Sequence, residues 1–292
     1  MAKQPRQLAG RVAAITGAAR GIGRATAQAF VSEGIRVAIG DVDLAAAEET
    51  ARALGGDTIA LPLDVTDRES VRSFLDQVEQ RLGPLDVLVN NAGIMPLGPF
   101  IEASDEATRR QVDINVYGVV HGMKEVLPRF VSRGQGHLVN IASAAGKAGY
   151  AGGATYCGTK HYVVGLSEAV RAELRGSGIE VSCVMPGVVN TELTSGMGTA
   201  RAVKTVEPTD VAEAIVDALK VPRFDVFVPK SIGPIGAVMG LFPRRGREAV
   251  GRALKADQLL TQVDPAARAA YELRAARSAR ALEPGEREEV RP

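Results

Sequence analysis

Arg11-Val12-Ala13-Ala14-Ile15-Thr16 is a short apolar run, and it empties into the glycine-rich turn Gly17-Ala18-Ala19-Arg20-Gly21-Ile22-Gly23. A helical pattern follows, with Ala25, Ala29 and Phe30 on one side. Strand, glycine turn and helix in that order are the setting of a dinucleotide phosphate site. Glycines let backbone N–H groups approach a pyrophosphate, which then sits at the positive end of the helix. The spacing is G-x-x-x-G-x-G, not the commoner G-x-G-x-x-G. By itself the turn also reads as a close-packing corner between strand and helix.

Working outward, Ile35-Arg36-Val37-Ala38-Ile39-Gly40-Asp41 is a second strand ending in a carboxylate. Asp41 lies about 20 residues past the turn, where an acidic side chain grips the adenosine ribose hydroxyls and repels the extra phosphate of NADP. The plainer reading is that Asp41 or Asp43 caps the helix 44–54, and both carboxylates can be in use at once. The alternation continues with a strand at 58–63, the segment Asp64-Val65-Thr66-Asp67, a helix to Leu82, and a strand Leu85–Val89 running into Asn90-Asn91-Ala92-Gly93. A long helix is expected over 104–131, carrying Asn115 midway. A strand at 137–142, a helix at 155–176, a strand at 179–185, a helix at 207–220 and a seventh strand at 225–228 complete the series.

Such alternation predicts an α/β fold: a doubly wound, seven-stranded parallel sheet with helices on both faces. Right-handed crossovers bring the glycine turn, Asn90, Ser143 and Pro186 to the carboxyl edge of that sheet. Residues 1–230 are expected to form this domain, and 231–292 a C-terminal extension.

One helix carries chemistry. Tyr156 and Lys160 in Tyr156-Cys157-Gly158-Thr159-Lys160 are one turn apart on the same helix face. A free tyrosine titrates near ~10, and a fixed cation beside it favours the phenolate. Ser143, at the end of the fifth strand, offers a hydroxyl to hold a substrate oxygen beside the tyrosine.

Composition bounds the function. The chain has 292 residues, 46% hydrophobic and 24% charged, with a net charge of +1, so nothing suggests nucleic acid as a partner. Cys157 and Cys183 have neither metal-ligand spacing nor the density of a disulfide framework, and His121, His137 and His161 form no metal pattern. No metal is expected. The polar start, Met1 to Gln7, lacks the core of a signal peptide, and no run reaches the ~20 apolar residues of a membrane span. A cytoplasmic location is the expectation.

Taken together, the chain resembles the short-chain dehydrogenase/reductase family over about residues 9 to 230. The resemblance rests on T-G-x-x-x-G-I-G at 16–23, Asp64-Val65, N-N-A-G at 90–93, Asn115, Ser143, Y-x-x-x-K at 156–160 and P-G-x-x-x-T at 186–191. It implies NAD(P)-dependent oxidation of an alcohol or reduction of a ketone. Tyr156 would be the general acid/base. Lys160 would lower its pKa and bond the nicotinamide ribose. Ser143 would orient the substrate oxygen, and Asn115 would hold a water linking the lysine to solvent. The cofactor would contact Gly17, Arg20, Gly21, Ile22, Gly23, Asp41, Asp64, Val65, Asn91, Ala92, Gly93, Pro186, Gly187, Val189 and Thr191, besides Tyr156 and Lys160. Asp41 makes NAD the expected cofactor rather than NADP. Family members often have Ala-Ser where Gly158-Thr159 stands here, and Gly158 is expected to permit a close contact. Two other readings remain: an NADPH-dependent 3-oxoacyl-type reductase using Arg20 on a 2′-phosphate, and a non-catalytic NAD(H)-sensing module. A homodimer or homotetramer built on the helices at 104–131 and after Tyr156 is also expected.

The residues expected to face the substrate, among them Ile94, Met95, Pro96, Leu97, Ala145, Gly146, Val188, Leu193 and Met197, are small or apolar. Only Lys147, Arg201 and Lys204 stand near them as cations, so an uncharged, lipophilic secondary alcohol or ketone is the expected substrate. The Gly-, Thr- and Ser-rich segment 191–208 is expected to act as a mobile lid. The apolar stretch 232–242, followed by Arg244, Arg245 and Arg247, is expected to line the pocket or a subunit interface. Dipping into a membrane surface over Ile232–Arg247 is the alternative. A charged, alanine-rich helix is expected over 264–282, and 283–292 is expected to fray.

Overall fold

The computed structural model describes residues 4–198, 204–254 and 258–277. Its strands are β1 (Val12–Thr16), β2 (Arg36–Asp41), β3 (Thr58–Pro62), β4 (Val87–Asn90), β5 (Gly136–Ile141), β6 (Ile179–Pro186) and β7 (Asp225–Val228). They form one parallel sheet in the order β3-β2-β1-β4-β5-β6-β7. Order reverses between β1 and β4, where Ile15 stands opposite Val89, and a crevice opens beyond the carboxyl ends at such a point.

Both faces of the sheet are buried, which is why its strands read as unbroken apolar runs. Successive residues serve opposite sides: Ala13 and Ile15 join one core cluster, Val12 and Ala14 the other. Helices α1 (Gly21–Ser32) and α2 (Leu44–Leu54) cover the first side, together with the later Pro208–Lys220 helix, through Phe30, Ala47 and Ile215. Helix α3 (Arg68–Leu82) and the helices Gly118–Arg133 and Ala154–Glu173 cover the second through Phe74, Val126 and Val163. Asp43 caps α2 by accepting from Ala46 N at 3.1 Å, and Asp67 caps α3 by accepting from Glu69 N at 2.9 Å.

The expected single helix over 104–131 is three pieces: α4 (Asp105–Val112), one wide π turn (Asp113–Tyr117) and α5 (Gly118–Arg133). An extra residue in that turn re-aims the side chains around Asn115, a change of register that apolar periodicity does not encode. The helix α6 (Ala154–Glu173) stops short of the expected Gly176, which takes φ +83°. After α7 (Pro208–Lys220) come α8 (Ile232–Gly240), α9 (Arg244–Ala253) and α10 (Pro265–Arg277). The expected fraying of 283–292, and the end of the last helix at Leu282, lie outside the described residues.

The extension is joined to the core. Leu259, Leu260, Tyr271 and Ala275 are buried, and Tyr271 and Ala275 belong to the same cluster as Met185 and Val163. No helix among the described residues is long and apolar enough to cross a membrane.

Candidate active site

A cavity of about 1960 Å³ runs along the carboxyl edge from the glycine turn to α10. At its first end β1 passes into α1 without a side-chain cap, so the first-turn N–H groups stay free to meet an anion. Gly17 adopts φ +63°, and a Cβ on it would come within 2.7 Å of Ala92 Cα. Gly21 adopts φ +56°, and a Cβ on it would meet Thr191 Cγ2 at an ordinary contact distance of 3.6 Å. Thr16 Oγ1 accepts from Asn91 N and Ala92 N, both at 3.0 Å, while Asn91 Nδ2 donates to Gly17 O at 2.8 Å. The glycine turn and the N-N-A-G turn thus hold one another in place.

Asp41 lines the cavity and accepts from Ala19 N and Asp43 N at 3.0 Å each. Burial pushes its carboxyl above the ordinary carboxylate range, against the pull of those two N–H groups. Arg20 is engaged with Asp43 at 2.8 Å. The two carboxylates divide the tasks as the sequence allows: Asp43 caps α2, and Asp41 keeps its cavity position. These residues fit a dinucleotide: an uncapped helix N-terminus, a glycine at Gly17 where a Cβ would clash, and a carboxylate at the end of β2 that lines the cavity.

Ser143, Tyr156 and Lys160 come together in the wall of this cavity. Ser143 stands at the end of β5, and its Oγ accepts from Ala145 N at 3.1 Å. It donates to Pro186 O at 3.4 Å, and it lies near enough to the Tyr156 hydroxyl to pull that phenol's pKa down. Lys160 Nζ lies 5.7 Å from the Tyr156 ring centroid and donates to Ile141 O at 2.9 Å. Asn115 is fully buried: its Oδ1 accepts from Ile94 N at 2.8 Å, and its Nδ2 donates to Ile94 O at 2.9 Å and Thr159 Oγ1 at 3.2 Å. The π turn therefore uses Asn115 to brace the loop after N-N-A-G against α6.

Ionisation departs from the expectation. Burial pushes the Tyr156 phenol up to about 12, with the Ser143 hydrogen bond pulling the other way. Burial also draws Lys160 down to about 8. Spacing alone suggested a phenol lowered by its cation, but desolvation of both groups outweighs that attraction in the free protein. Gly158 is a second correction: nothing lies within 4 Å of a Cβ built there, so it permits no close contact.

Most predicted residues line the cavity: Gly17, Arg20, Gly21, Ile22, Asp41, Val65, Asn91, Ala92, Gly93, Pro186, Gly187, Val189 and Thr191 beside Ser143, Tyr156 and Lys160. Gly23 and Asp64 stand behind it. A Cβ on Gly23 would lie 2.7 Å from Ala18 Cα, so it is a packing glycine, and Asp64 Oδ1 is taken up by Thr66 N at 2.8 Å and Thr66 Oγ1 at 2.7 Å. Cys157 and Cys183 are free and buried, and no metal cluster exists among the described residues.

The far wall contains residues that sequence reasoning missed. Buried Arg268 donates to Met95 O, to Leu193 O at 2.8 Å and to Ser195 O at 3.2 Å, and Tyr271 accepts from Met95 N at 2.6 Å. Ser195 Oγ donates to Ala267 O at 3.1 Å, and Gly198 N donates to Leu259 O at 3.1 Å. Residues 191–198 of the expected mobile lid are thus latched to the extension. Arg201 lies outside the described residues. Helix α8 meets one expectation, since Ile232 and Met239 line the cavity; Val238 and Leu241, the residue that follows the helix, are exposed.

The family model described as short chain dehydrogenase matches residues 11–202. The chain is 42% identical over 192 residues to a sorbitol dehydrogenase of Cereibacter sphaeroides, a match covering 65% of this chain and 75% of that one. It is 32% identical over 253 residues to 17-beta-hydroxysteroid dehydrogenase 13 of Rattus norvegicus, covering 85% and 84%. A short chain dehydrogenase/reductase from Burkholderia phymatum in complex with NAD superimposes with a TM-score of 0.75 at 27% identity, over 80% of this chain and 94% of that one. The 3-ketoacyl-(acyl-carrier-protein) reductase from Brucella melitensis complexed with NADH gives 0.69 at 29% identity, over 76% and 97%.

Proposed function

Since the chain belongs to the short-chain dehydrogenase family, we propose that it transfers hydride between NAD and an uncharged, largely lipophilic secondary alcohol or its ketone. The observation that carries this reading is the meeting of Ser143, Tyr156 and Lys160 in the cavity that begins at the glycine turn. Bound NAD supplies the hydride acceptor, and NADH the donor. In oxidation Tyr156, as the phenolate, takes the hydroxyl proton as the carbinol carbon loses hydride; in reduction the phenol gives its proton to the carbonyl oxygen. A phenol at about 12 holds its proton at neutral pH, ready to donate. Ser143 lies beside that phenol and flanks the same substrate oxygen. Lys160, a cation in a dry site, favours the phenolate whenever the proton leaves.

Asp41 and the pairing of Arg20 with Asp43 favour NAD over NADP. Ile94, Met95, Leu193, Met197, Leu259 and Leu260 give the substrate end an apolar lining, which supports a lipophilic body. The sorbitol dehydrogenase relative favours a second reading, a polyol substrate. An activity screen over lipophilic alcohols and sugar alcohols with NAD, followed as NADH absorbance, separates them. The 3-oxoacyl reductase reading requires tighter binding of NADPH than of NADH. The sensing module requires hydride transfer to no alcohol or ketone.

We also place the protein in the cytoplasm as a homo-oligomer, pairing through the half-exposed Tyr117 and Tyr162 at α5 and α6. A monomeric mass by light scattering contradicts that pairing. Tyr156→Phe is expected to lower kcat about 10²- to 10⁴-fold with NADH binding unchanged. Near-normal turnover by that variant overturns the assignment.

A further inference from the structure

The face of α10 that meets the core carries Arg268, Tyr271 and Ala275, at i, i+3 and i+7. Arg268 is 2% exposed, yet nearly all its donors are placed: three backbone carbonyls, from Met95, Leu193 and Ser195, and the Glu272 carboxylate at 2.6 Å. Its guanidinium carbon also stands 4.6 Å from the Tyr271 ring centroid. The ring of Tyr271 is therefore clamped on one side by a group that is itself fixed on several.

Tyr271 lines the same cavity as Tyr156 and Ser143. Its hydroxyl oxygen accepts from Met95 N, so the hydroxyl proton needs an acceptor elsewhere. Among the described residues it has none. The two tyrosines are near enough that ionising Tyr156 disfavours ionising Tyr271, and burial further holds Tyr271 in its neutral, donating form. A buried phenol with a fixed ring, one lone pair engaged and a free proton is a preorganised donor.

We propose that Tyr271 is a substrate-binding residue, its hydroxyl donating to a second oxygen of the substrate beyond the carbinol or carbonyl that Tyr156 handles. The substrate class is then narrower than a lipophilic alcohol: a mainly apolar compound carrying a further hydroxyl or keto group. This rests on the reading of the site as a dehydrogenase. Arg268 is a positioning residue in it, setting the Tyr271 ring and the Met95 and Leu193 segments together.

The test compares wild type and Tyr271→Phe on matched substrates with NAD: cyclohexanol against its diols, and a monohydroxy steroid against the corresponding dihydroxy steroid. NADH fluorescence titration and a thermal melt on both proteins report cofactor binding and fold. The expected result is a roughly tenfold loss of kcat/KM confined to the substrates with a second oxygen, the scale of one uncharged hydrogen bond. NADH affinity should be unchanged. An equal loss on both members of each pair, or no loss on either, overturns the inference and leaves the dehydrogenase reading standing, because it makes Tyr271 only a support for Met95. If the wild type transfers hydride to no member of either series, the dehydrogenase reading falls and this inference falls with it.

Discussion

Replacing Lys160 by methionine should make the protein more stable at neutral pH and leave it inactive. The ammonium is 5% exposed, and its one hydrogen bond is to Ile141 O at 2.9 Å. Burial lowers its pKa from 10.5 to about 8, so the fold disfavours the charged form by about 3 kcal/mol. Unfolded lysine keeps its proton up to about 10.5, whereas the folded protein releases it near 8. Between those values the unfolded chain binds more protons, so wild-type stability rises with pH through that window and carries the full penalty below it. Methionine fills a similar volume without the charge and forfeits a hydrogen bond worth about 1.5 kcal/mol. The net gain at pH 7 is then about 1–2 kcal/mol, or roughly 2–5 °C in Tm. Urea melts of both proteins at pH 7 and pH 10 measure it: the variant should lead at pH 7 and lose that lead by pH 10. A variant less stable at pH 7, or two parallel stability–pH profiles, would refute the reasoning.

Asp41→Asn keeps an acceptor for Ala19 N and removes the charge; fluorescence titration should show NADPH binding at least about tenfold tighter than in wild type, through loss of repulsion alone. Arg268→Met strips the donor from the Met95, Leu193 and Ser195 carbonyls and should cost about 3–5 kcal/mol, the range for breaking a buried charged network. Limited proteolysis should then cut between Leu193 and Gly198, and an unchanged digest counts against the latch. Gly158→Ala has open space for its Cβ on the exposed side of α6 and should raise stability by about 1 kcal/mol in urea melts with turnover preserved.

The sheet was legible because its central strands are buried on both faces and so appear as apolar runs closed by a turn residue. Val12–Ile15 before Gly17 and Val87–Val89 before Asn90 are of this kind. Boundaries moved where a backbone irregularity carries no side-chain pattern. The π turn around Asn115 is an example: Val112, Val116 and Val119 keep apolar spacing straight through it. Ser143, Tyr156 and Lys160, which we propose as catalytic, were legible because each stands at a strand end or on one helix face, so order along the chain fixes position in space.

What stayed hidden is held by distant contacts and by solvent exclusion. Alternating alanines and arginines make α10 look like a solvated helix, and the only local cue was one aromatic residue three positions after an arginine. The partners of Arg268 lie 173 positions away at Met95 and 75 away at Leu193, distances at which no periodicity connects them. The ionisation of the Tyr156 pair was hidden for the related reason that spacing reports proximity but not dryness. Burial moves the phenol to about 12 and the ammonium to about 8, which separates two jobs that spacing had merged. At neutral pH the phenol rests protonated and Lys160 remains mostly charged. The same low dielectric that penalises each charge alone strengthens the attraction between them once the phenol loses its proton. In the mechanism we propose, Lys160 therefore contributes most to the phenolate that forms during proton transfer and little to the resting phenol, which is the selectivity a catalytic cation needs.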